Sequence, residues 1–301
     1  MERKTTYSLK EILEQQNHIL VPGIYDALTA KLAEEAGFSA VFLTGYGVSA
    51  ARLGKPDLGL IHGNEIANVM LNISNSCRIP VIADADTGYG GPLNVIHTLK
   101  LYEQAGTQAI QLEDQQWPKR CGHIEGKRVI STSEMVAKIK AAADARENKN
   151  MLIIARTDSI AVEGFSSAIR RCESYLKAGA DCLFVESPID REQTAAIPKL
   201  LPVHHVINMA ETGKAPAYTS QEVFDMGYNI ALYPITVLLS AVKAAIRALV
   251  TMRDTGSSIG MDIISYSEFN QLIGMTRYKD IDKQYMKKAL ELEGDCNESC
   301  S

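Results

Sequence analysis

The chain has 301 residues, of which 46% are hydrophobic and 22% are charged, and its formal net charge is −5. This length and apolar content suffice to bury a large core in one large domain or two smaller ones. The basic residues are dispersed, which predicts no nucleic-acid-binding surface, and no apolar stretch predicts a membrane span or a signal peptide. Six cysteines without paired spacing predict neither a disulfide framework nor a zinc site, and they favour a reducing cytoplasm.

Short runs rich in Val, Ile and Leu alternate along the chain with helix-like stretches. The predicted strands are His18–Pro22, Ala40–Gly45, Pro80–Asp86, Gln108–Glu113, Met151–Thr157, Asp181–Glu186, Val203–Asn208 and Ile230–Pro234. The predicted helices between them are Asp26–Ala36, Asn64–Ser74, Leu93–Ala105, Thr132–Arg146, Ser166–Ala178 and Thr236–Thr251. Continuous apolar runs such as Leu152–Ala155 are typical of parallel strands covered on both faces.

Eight strands that alternate with helices predict a (β/α)8 TIM barrel rather than a doubly wound sheet. No GxGxxG sequence follows a predicted strand, which also argues against a dinucleotide-binding fold. Beyond the last barrel helix, Ser265–Leu272 and Asp280–Leu292 predict extra helices. We therefore expect one barrel domain over residues 1–301, with a C-terminal helical extension at about 260–292 and a mobile tail at 293–301.

Polar and charged residues stand at the ends of most of the predicted strands. In a barrel of this kind the active site forms at the carboxyl ends of the strands. The residues at those ends are Thr44, Gly45 and Tyr46 at the second strand, Asp57 in the loop beyond it, Asp84 and Asp86 at the third, Glu113 at the fourth, Arg156 at the fifth, Glu186 at the sixth and Asn208 at the seventh. The sequence therefore predicts a strongly charged site at one end of the barrel.

Asp84 and Asp86 stand at positions i and i+2, which would place both carboxylates on one side of a strand with Cα atoms roughly 6–7 Å apart. With Glu113 one strand away, such carboxylates repel each other unless a cation lies among them. Hard oxygen ligands without a histidine cluster favour Mg²⁺, or Mn²⁺, over zinc. The alternative is that Asp84 caps a loop and Asp86 pairs with a lysine.

Arg156 and Glu186 end buried strands, where a charge is costly unless it is paired. One interpretation is that the two residues form a structural ion pair. The other is that Arg156 binds a substrate carboxylate through two parallel hydrogen bonds.

The loop after the fourth strand carries Lys119, Arg120, Cys121, Gly122 and His123 in succession. Neighbouring positive charge would lower the thiol pKa of Cys121 and suit this residue to proton transfer. The alternative is a polar surface loop in which the cysteine has no role.

These segments resemble the isocitrate lyase and phosphoenolpyruvate mutase superfamily over about 20–272. The resemblance is carried by Pro22–Asp26, Pro56–Gly59, Asp84–Gly90, Glu113–Gln115, Lys119–His123 and Ala155–Asp158. The Lys119–His123 segment is the most specific, because it resembles the gating loop of the lyase branch. The branch that acts on phosphonopyruvate usually lacks that cysteine.

The resemblance implies a Mg²⁺-dependent lyase that cleaves the C2–C3 bond of a small 2-hydroxy carboxylate. It also implies a homotetramer in which neighbours exchange a C-terminal helix. By resemblance, Asp84 and Asp86 hold the metal, and Glu113 supports them. The substrate carboxylate is contacted by Thr44, Gly45 and Tyr46. Arg156 stabilises the developing oxyanion, and Cys121 protonates the departing carbanion. The implied site also includes Asp57, Lys119, Gly122, His123 and Asn208, and the base is either Glu186 or Tyr46.

Two departures from the methylisocitrate lyases concern the substrate. Those enzymes carry arginines where this chain has Leu239 and Tyr266, and the arginines serve the extra carboxylate of a tricarboxylate. Loss of both removes charge-assisted hydrogen bonds of roughly 1.5–3 kcal/mol each. The sequence therefore favours a dicarboxylate, a 2-alkylmalate or 2,3-dimethylmalate, cleaved to a 2-oxo acid such as pyruvate and a carboxylic acid.

Three alternatives stay open. The first is a 2-methylisocitrate lyase, giving pyruvate and succinate, that binds the third carboxylate through other residues. The second is a carboxyvinyl-carboxyphosphonate phosphorylmutase, or an oxaloacetate decarboxylase or hydrolase. The third is a non-catalytic barrel that binds a metabolite or senses oxidation through Cys121.

Overall fold

A computed structural model describes residues 7–119, 126–209 and 217–298, with side chains as far as 291. Eight parallel strands pair in chain order and close into a barrel. The strands are β1 (Ile19–Ile24), β2 (Val41–Leu43), β3 (Val81–Asp84), β4 (Ala109–Glu113), β5 (Leu152–Thr157), β6 (Cys182–Val185), β7 (His204–Asn208) and β8 (Ile230–Tyr233). The predicted (β/α)8 barrel is confirmed, and each predicted strand lies within two residues of the observed ends.

Helices precede, connect and follow the strands along the chain. They are α1 (Leu9–Gln16), α2 (Ala27–Glu35), α3 (Gly45–Leu53), α4 (Gly63–Ser76), α5 (Pro92–Gln104), α6 (Thr132–Ala145), α7 (Ile160–Glu163), α8 (Phe165–Ala178), α9 (Arg191–Leu200), α10 (Ser220–Met226), α11 (Thr236–Thr255), α12 (Tyr266–Leu272) and α13 (Met275–Glu298). The helices predicted from the sequence did not include α1, α3, α7, α9 or α10. Within the described parts of the chain, none of these helices has the length and apolar composition needed to span a bilayer.

Two apolar layers surround the strands. Inside the barrel, strand residues such as Phe42, Ile154 and Phe184 form one buried cluster, and Leu9 and Leu13 of α1 belong to the same cluster. Helix α1 immediately precedes β1, so it closes the end of the barrel at which the strands begin. A second and larger cluster lies between the strands and the helices α2 to α9. Polar and charged side chains lie at the opposite end of the barrel, where the strands finish.

By its internal contacts the chain separates into two compact units, Met1–Lys243 and Ala244–Ser301. The first unit contains the whole barrel. The second contains the end of α11 together with α12 and α13. Helix α13 begins before the predicted start at Asp280 and ends at Glu298, so residues 293–298 are helical although they were predicted as part of a mobile tail. The segment contains no proline, and no residue in it forces the helix to stop at Leu292.

Candidate active site

The carboxyl ends of the strands bring the predicted site residues together. Glu113 and Arg156 are register partners in the neighbouring strands β4 and β5. Asp84 is the last residue of β3 and Asn208 is the last residue of β7, while Thr44 and Glu186 directly follow β2 and β6. Six of the eight strands therefore contribute side chains or caps to one end of the barrel.

Lys119 is the cation at the centre of the carboxylate cluster. Its Nζ lies 2.6 Å from Oδ2 of Asp57 and 2.7 Å from Oδ1 of Asp86. All three side chains are nearly inaccessible, with exposed fractions of 4%, 6% and 2%. Asp86 thus pairs with a lysine, which is one of the alternatives that the sequence left open.

The i and i+2 spacing predicted that Asp84 and Asp86 share one face of a strand, and this prediction is wrong. Strand β3 ends at Asp84, and Asp86 follows it with a φ of +48°, in the left-handed region. The two residues still face one site, because the amide of Asp86 donates to Oδ1 of Asp84 at 3.0 Å. A Cβ placed on Gly45 would lie 3.1 Å from Oδ2 of Asp84 and 3.6 Å from Oδ1 of Asp86.

The N-terminus of α3 lies beside these aspartates. Thr44 caps the helix, and its hydroxyl accepts a hydrogen bond from the amide of Gly47 at 3.4 Å. The amide of Gly45 donates to Oδ2 of Asp84 at 3.3 Å. The first amides of a helix lack intrahelical partners and carry partial positive charge. The N-terminus of α3, formed by Thr44, Gly45 and Tyr46, is therefore suited to bind an anion.

Arg156 is held by three carboxylates and one ring. Asp158 accepts from its Nε at 2.9 Å and from its Nη2 at 3.1 Å. Glu113 and Glu186 lie 3.5 and 3.6 Å from the same guanidinium, and the ring of Phe184 lies 5.1 Å below its carbon. The predicted Arg156–Glu186 pair is present, but it is weaker than the pair with Asp158.

The geometry bears on the alternative in which Arg156 binds a substrate carboxylate through two parallel hydrogen bonds. Its Nε and Nη2 edge is already occupied by Asp158. Its Nη1 donates no hydrogen bond to any residue that the structure describes. A substrate oxygen would therefore be met by Nη1 rather than by the two-nitrogen edge.

Burial sets the protonation of the carboxyl groups. It raises the pKa of Asp86 to about 7, an effect that the Lys119 ammonium opposes and the neighbouring Asp84 reinforces. Burial also raises the pKa of Asp57 and that of Glu113. The pKa of Lys119 would fall on burial, but Asp86 and the other carboxylates raise it well above its usual value, so the ammonium stays charged.

The donor set fits a hard cation that keeps part of its water shell. Asp86 Oδ2, Glu113 Oε1 and Gln111 Oε1 are buried and accept no hydrogen bond from the described residues. In the described ranges, no three His, Cys, Asp or Glu side chains form a complete metal-ligating group. Mg²⁺ is typically held by one or two carboxylates, with water and substrate filling the other positions. Asp84 and Asp86 are two such carboxylates, and their role as metal ligands stays a prediction.

The segment that follows Lys119 is only partly described. Cys121, Gly122 and His123 lie outside the described residues, so their predicted roles stay predictions. The base of the segment is an antiparallel bridge between Gln115 and Val129. Two backbone hydrogen bonds flank it, from the amide of Gln116 to the carbonyl of Arg128 at 2.8 Å and from the amide of Ile130 to the carbonyl of Asp114 at 2.9 Å.

The sequence placed Asp158 at the end of the fifth strand but gave neither Asp158 nor Lys127 a role in this site. Nζ of Lys127 donates to Oδ1 of Asp158 at 2.7 Å, and both side chains are buried. The i, i+2 spacing of Arg156 and Asp158 was a usable signal, because residues so spaced share one side of an extended chain. Lys127 lies 31 positions from Asp158, and nothing in the sequence pairs them.

Trp117 packs beside the same cluster. Its ring meets that of Tyr89 edge to face, with centroids 6.2 Å apart. It also covers Gly59, where an added Cβ would lie 2.8 Å from the indole ring. Asp57 and Lys119 are each two residues from this contact, so the indole joins the two segments that carry them.

Comparison with protein families gives a match over most of the chain. A family model described as phosphoenolpyruvate phosphomutase matches residues 9–253. The chain is 40% identical to the 2,3-dimethylmalate lyase of Eubacterium barkeri over 93% of this chain and 98% of the lyase. It is 39% identical to the chloroplastic carboxyvinyl-carboxyphosphonate phosphorylmutase of Arabidopsis thaliana, over 91% of this chain and 83% of that protein. It is also 39% identical to the 2-methylisocitrate lyase of Aeropyrum pernix, over 94% and 92% of the two chains.

Solved structures give the same picture. A crystal structure of a 2,3-dimethylmalate lyase matches with a TM-score of 0.89 and 34% identity, over 95% of this chain and 96% of the other. An oxaloacetate acetylhydrolase in complex with 3,3-difluorooxalacetate also has a TM-score of 0.89 and 34% identity, over 94% and 97% of the chains. A phosphonopyruvate hydrolase complex with oxalate and Mg²⁺ matches with a TM-score of 0.85 and 29% identity, over 94% and 99%.

Proposed function

Because the chain belongs to the phosphoenolpyruvate mutase/isocitrate lyase superfamily, we propose that it is a carbon–carbon lyase acting on a 2-hydroxy dicarboxylate. The substrate is of the 2,3-dimethylmalate or 2-alkylmalate type. Cleavage of its C2–C3 bond yields a 2-oxo acid such as pyruvate and a carboxylic acid. The relative that acts on 2,3-dimethylmalate matches almost end to end.

One arrangement carries this proposal. The aspartates Asp84 and Asp86, the amide-bearing start of α3 and the guanidinium of Arg156 converge at the carboxyl ends of neighbouring strands. Hard oxygen donors beside two kinds of anion-binding group suit a substrate with a carboxylate and an adjacent hydroxyl.

The metal of the proposed enzyme is Mg²⁺, with Mn²⁺ as a substitute. Asp84 and Asp86 hold it directly or through water, and Glu113 supports the site from the next strand. When bound, such a cation polarises the C2 oxygen and the adjacent carboxylate of the substrate. A related phosphonopyruvate hydrolase was solved with Mg²⁺, and the buried, unpartnered oxygen atoms of Asp86 and Glu113 support the same use here.

The residues of the chain then act in sequence on one substrate. Thr44, Gly45 and Tyr46 orient the carboxylate at C1 through the start of α3. A base, either Glu186 or Tyr46, removes the proton of the C2 hydroxyl, and the C2 oxygen becomes the carbonyl of the 2-oxo acid. The electron pair of the broken C2–C3 bond passes to C3, next to the second carboxylate, as an enediolate.

Three further groups complete the reaction. Nη1 of Arg156 stabilises the charge that develops on oxygen. The thiol of Cys121 gives its proton to C3 and so releases the carboxylic acid. Lys119, His123, Asp57, Gly122 and Asn208 line the same end of the barrel in this proposal, and the buried Oδ1 of Asn208 accepts no hydrogen bond from the described residues.

The preference for a dicarboxylate rests on Leu239 and Tyr266. Leu239 lies in the first turn of α11, just after β8, and its amide donates to the carbonyl of Ile235. Its apolar side chain is 42% exposed and offers no hydrogen bond to a third carboxylate. The second candidate is a 2-methylisocitrate lyase, which the relative from Aeropyrum pernix supports.

The deciding experiment measures pyruvate release, coupled to NADH oxidation, with Mg²⁺ and a substrate panel. The panel contains 2,3-dimethylmalate, 2-alkylmalates, 2-methylisocitrate and oxaloacetate. A clear preference for a dicarboxylate supports the proposal, and a preference for 2-methylisocitrate contradicts it in favour of the second candidate. Turnover of none of the four would contradict lyase activity and favour phosphorus chemistry, as in the Arabidopsis relative.

Two cysteine variants test whether Cys121 is the acid. Cys121→Ser should lower kcat by about 10²- to 10⁴-fold, the usual contribution of a positioned acid, while Mg²⁺ binding is retained. Cys77→Ser is the matched control, because Cys77 ends α4 just before β3 begins, at the other end of the barrel. Equal activity of the two variants would remove Cys121 from the mechanism.

We further propose that the enzyme is a homotetramer. The second unit, from Ala244 onward, carries large exposed apolar side chains, including Leu249 at 63%, Ile259 at 94% and Ile263 at 67%. Monomers rarely expose so many neighbouring apolar groups. Light scattering coupled to size exclusion should give four times the 32.9 kDa chain mass, and a monomer would contradict the proposal.

A further inference from the structure

The carboxylate of Asp158 is shared by two buried cations. It accepts two hydrogen bonds from Arg156, at 2.9 and 3.1 Å, and one from Nζ of Lys127, at 2.7 Å. The side chain of Asp158 is completely buried, and that of Lys127 is 5% exposed. Arg156 lies in β5 and Lys127 lies in the loop before α6, so one carboxylate joins two parts of the site.

A second carboxylate fixes the position of the first. Asp114 accepts from the amide of Asp158 at 3.0 Å and from the hydroxyl of Thr157 at 2.6 Å. The hydroxyl of Tyr175 donates to Asp114 at 2.7 Å, and Nη1 of Arg171 lies 3.4 Å from it. Asp158 therefore has little freedom, because its backbone is bound to a group that is itself held from α8.

This geometry decides which face of Arg156 is available. The two-nitrogen edge of the guanidinium is turned toward Asp158, and the ring of Phe184 lies beneath its plane. A guanidinium presents five donors in a rigid fork, so fixing one edge fixes the direction of the remaining nitrogen. Without Asp158, Arg156 would be free to turn toward Glu113 or Glu186, which lie 3.5 and 3.6 Å away.

We propose that Asp158 is a positioning residue, which orients Arg156 toward the substrate and binds Lys127 to the same carboxylate. The proposal deepens the proposed function and rests on it for the role of Arg156. Lys127 stands two positions after residues 120–125, the stretch that contains Cys121. Asp158 thus sets the place of the guanidinium and of the chain next to the proposed acid.

A purely structural role would be charge balance, in which Asp158 only neutralises two buried cations. The two roles differ in the double variant Asp158→Asn/Lys127→Met, which removes one charge of each sign. Charge balance predicts that the double variant regains both the Tm and the kcat lost in Asp158→Asn. Positioning predicts that the Tm recovers while the kcat does not.

The kinetic test uses the substrate that the wild-type protein prefers. Asp158→Asn should lower kcat by about 10²- to 10³-fold, the loss typical when one group that stabilises transition-state charge is displaced, with KM changed much less. Asp158→Glu keeps the charge and should recover part of the loss. Asp181→Asn is the matched control, because Asp181 also pairs with an arginine, Arg146, but precedes β6 at the opposite end of the barrel.

A chemical test does not depend on turnover, so it separates a failure of this proposal from a failure of the proposed function. Phenylglyoxal modifies arginine side chains, and peptide mass spectrometry reports the rate at Arg156. Modification of Arg156 should be several-fold faster in Asp158→Asn than in the wild type or in Asp181→Asn. An unchanged rate would overturn the positioning role, as would recovery of kcat in the double variant, whereas inactivity of the wild type on every substrate would count against the lyase alone.

Discussion

Nζ of Lys119 lies 2.7 Å from Oδ1 of Asp86, and the two side chains are only 4% and 2% exposed. A buried ammonium therefore neutralises one of the carboxylates that are proposed to hold the metal. Like charges this close repel strongly at the low effective dielectric of a buried site. Lys119 and a divalent cation consequently compete for Asp86, and for Asp57, which the same ammonium contacts.

Replacement of Lys119 should distinguish the contribution of its ammonium group to stability from that of Mg²⁺. We expect Lys119→Met to destabilise the metal-free protein by about 3–5 kcal/mol, because it leaves buried carboxylates without their partner. Mg²⁺ should bind the variant more tightly and raise its Tm by more than it raises the wild-type Tm. Calorimetric titration and thermal unfolding with and without Mg²⁺ measure both effects.

Lys140→Met is the control for that variant. Lys140 also pairs with an aspartate, Asp144, but both side chains are more than half exposed. Its loss should change stability by less than about 1 kcal/mol. A metal-dependent rise in Tm that is equal in Lys119→Met and in the wild type would contradict the competition.

Asp158 should contribute to the acid sensitivity of the fold. Burial alone would raise its pKa, but Arg156 and Lys127 overcome burial and lower it from 3.8 to about 2. The stabilisation is therefore fully present above pH 3.8, the value for the unfolded chain, and is lost as the pH falls through about 2. Its size is about 2 kcal/mol.

Chemical unfolding at a series of pH values measures this contribution. The unfolding free energy of Asp158→Asn should fall less steeply between pH 4 and pH 2 than that of the wild type, by about 2 kcal/mol over the range. Asp181→Asn is the control and should keep the wild-type slope, because the side chain of Asp181 is 30% exposed to solvent, whereas that of Asp158 is fully buried. Parallel curves for Asp158→Asn and the wild type would show that Asp158 is not ionised at low pH.

Gly45 should be required for the site rather than for the fold. Its position in the first turn of α3 has no positive φ, so alanine is compatible with the backbone there. The added Cβ, however, would lie 3.1 Å from Oδ2 of Asp84. We expect Gly45→Ala to keep or slightly raise the Tm while it weakens Mg²⁺ binding roughly tenfold, equivalent to about 1.4 kcal/mol.

Gly91→Ala is the matched substitution for Gly45→Ala. Gly91 also stands at the start of a helix, α5, and a Cβ there would meet no atom within 4 Å. Mg²⁺ affinity should be unchanged in this variant. If both alanine variants bind Mg²⁺ like the wild type, crowding at Asp84 has no effect on the metal.

Leu239 should determine the length of the substrate. Leu239→Arg would restore a charge that can bind a third carboxylate, worth roughly 1.5–3 kcal/mol. We expect kcat/KM for 2-methylisocitrate, relative to 2,3-dimethylmalate, to rise about 10- to 100-fold. Leu32→Arg adds the same charge at a leucine of similar exposure, 44% against 42%, on α2, and it should leave the ratio unchanged.

The barrel could be predicted from the sequence because its strands are continuous apolar runs. Residues such as Leu152–Ala155 admit few interpretations other than strands covered on both faces. Helix α3 was missed because Gly45 and Gly47 in its first turn have low helix propensity, and the cap at Thr44 together with packing against the barrel outweighs that propensity. Helix α9 was missed because it contains Pro198 near its end.

Which residues belong to the site was easier to predict than which of their charged side chains form ion pairs. Asp84, Glu113, Arg156 and Asn208 could be placed because each lies at or next to the end of a strand, and the fold gathers strand ends. Which charges pair could not be predicted, because Lys119 and Lys127 reach their partners across 62 and 31 positions of sequence. Side chains that meet only through loops leave no periodic signal.

Trp117 gives this site its own optical probe. It is the only tryptophan among the 301 residues, so all indole emission of the protein originates between Gly59 and Tyr89, two residues from Lys119. A cation or a carboxylate that rearranges Lys119 and Asp57 alters the polarity around that one ring. Stopped-flow fluorescence can therefore follow ligand arrival in milliseconds on the unlabelled protein, before any product has formed.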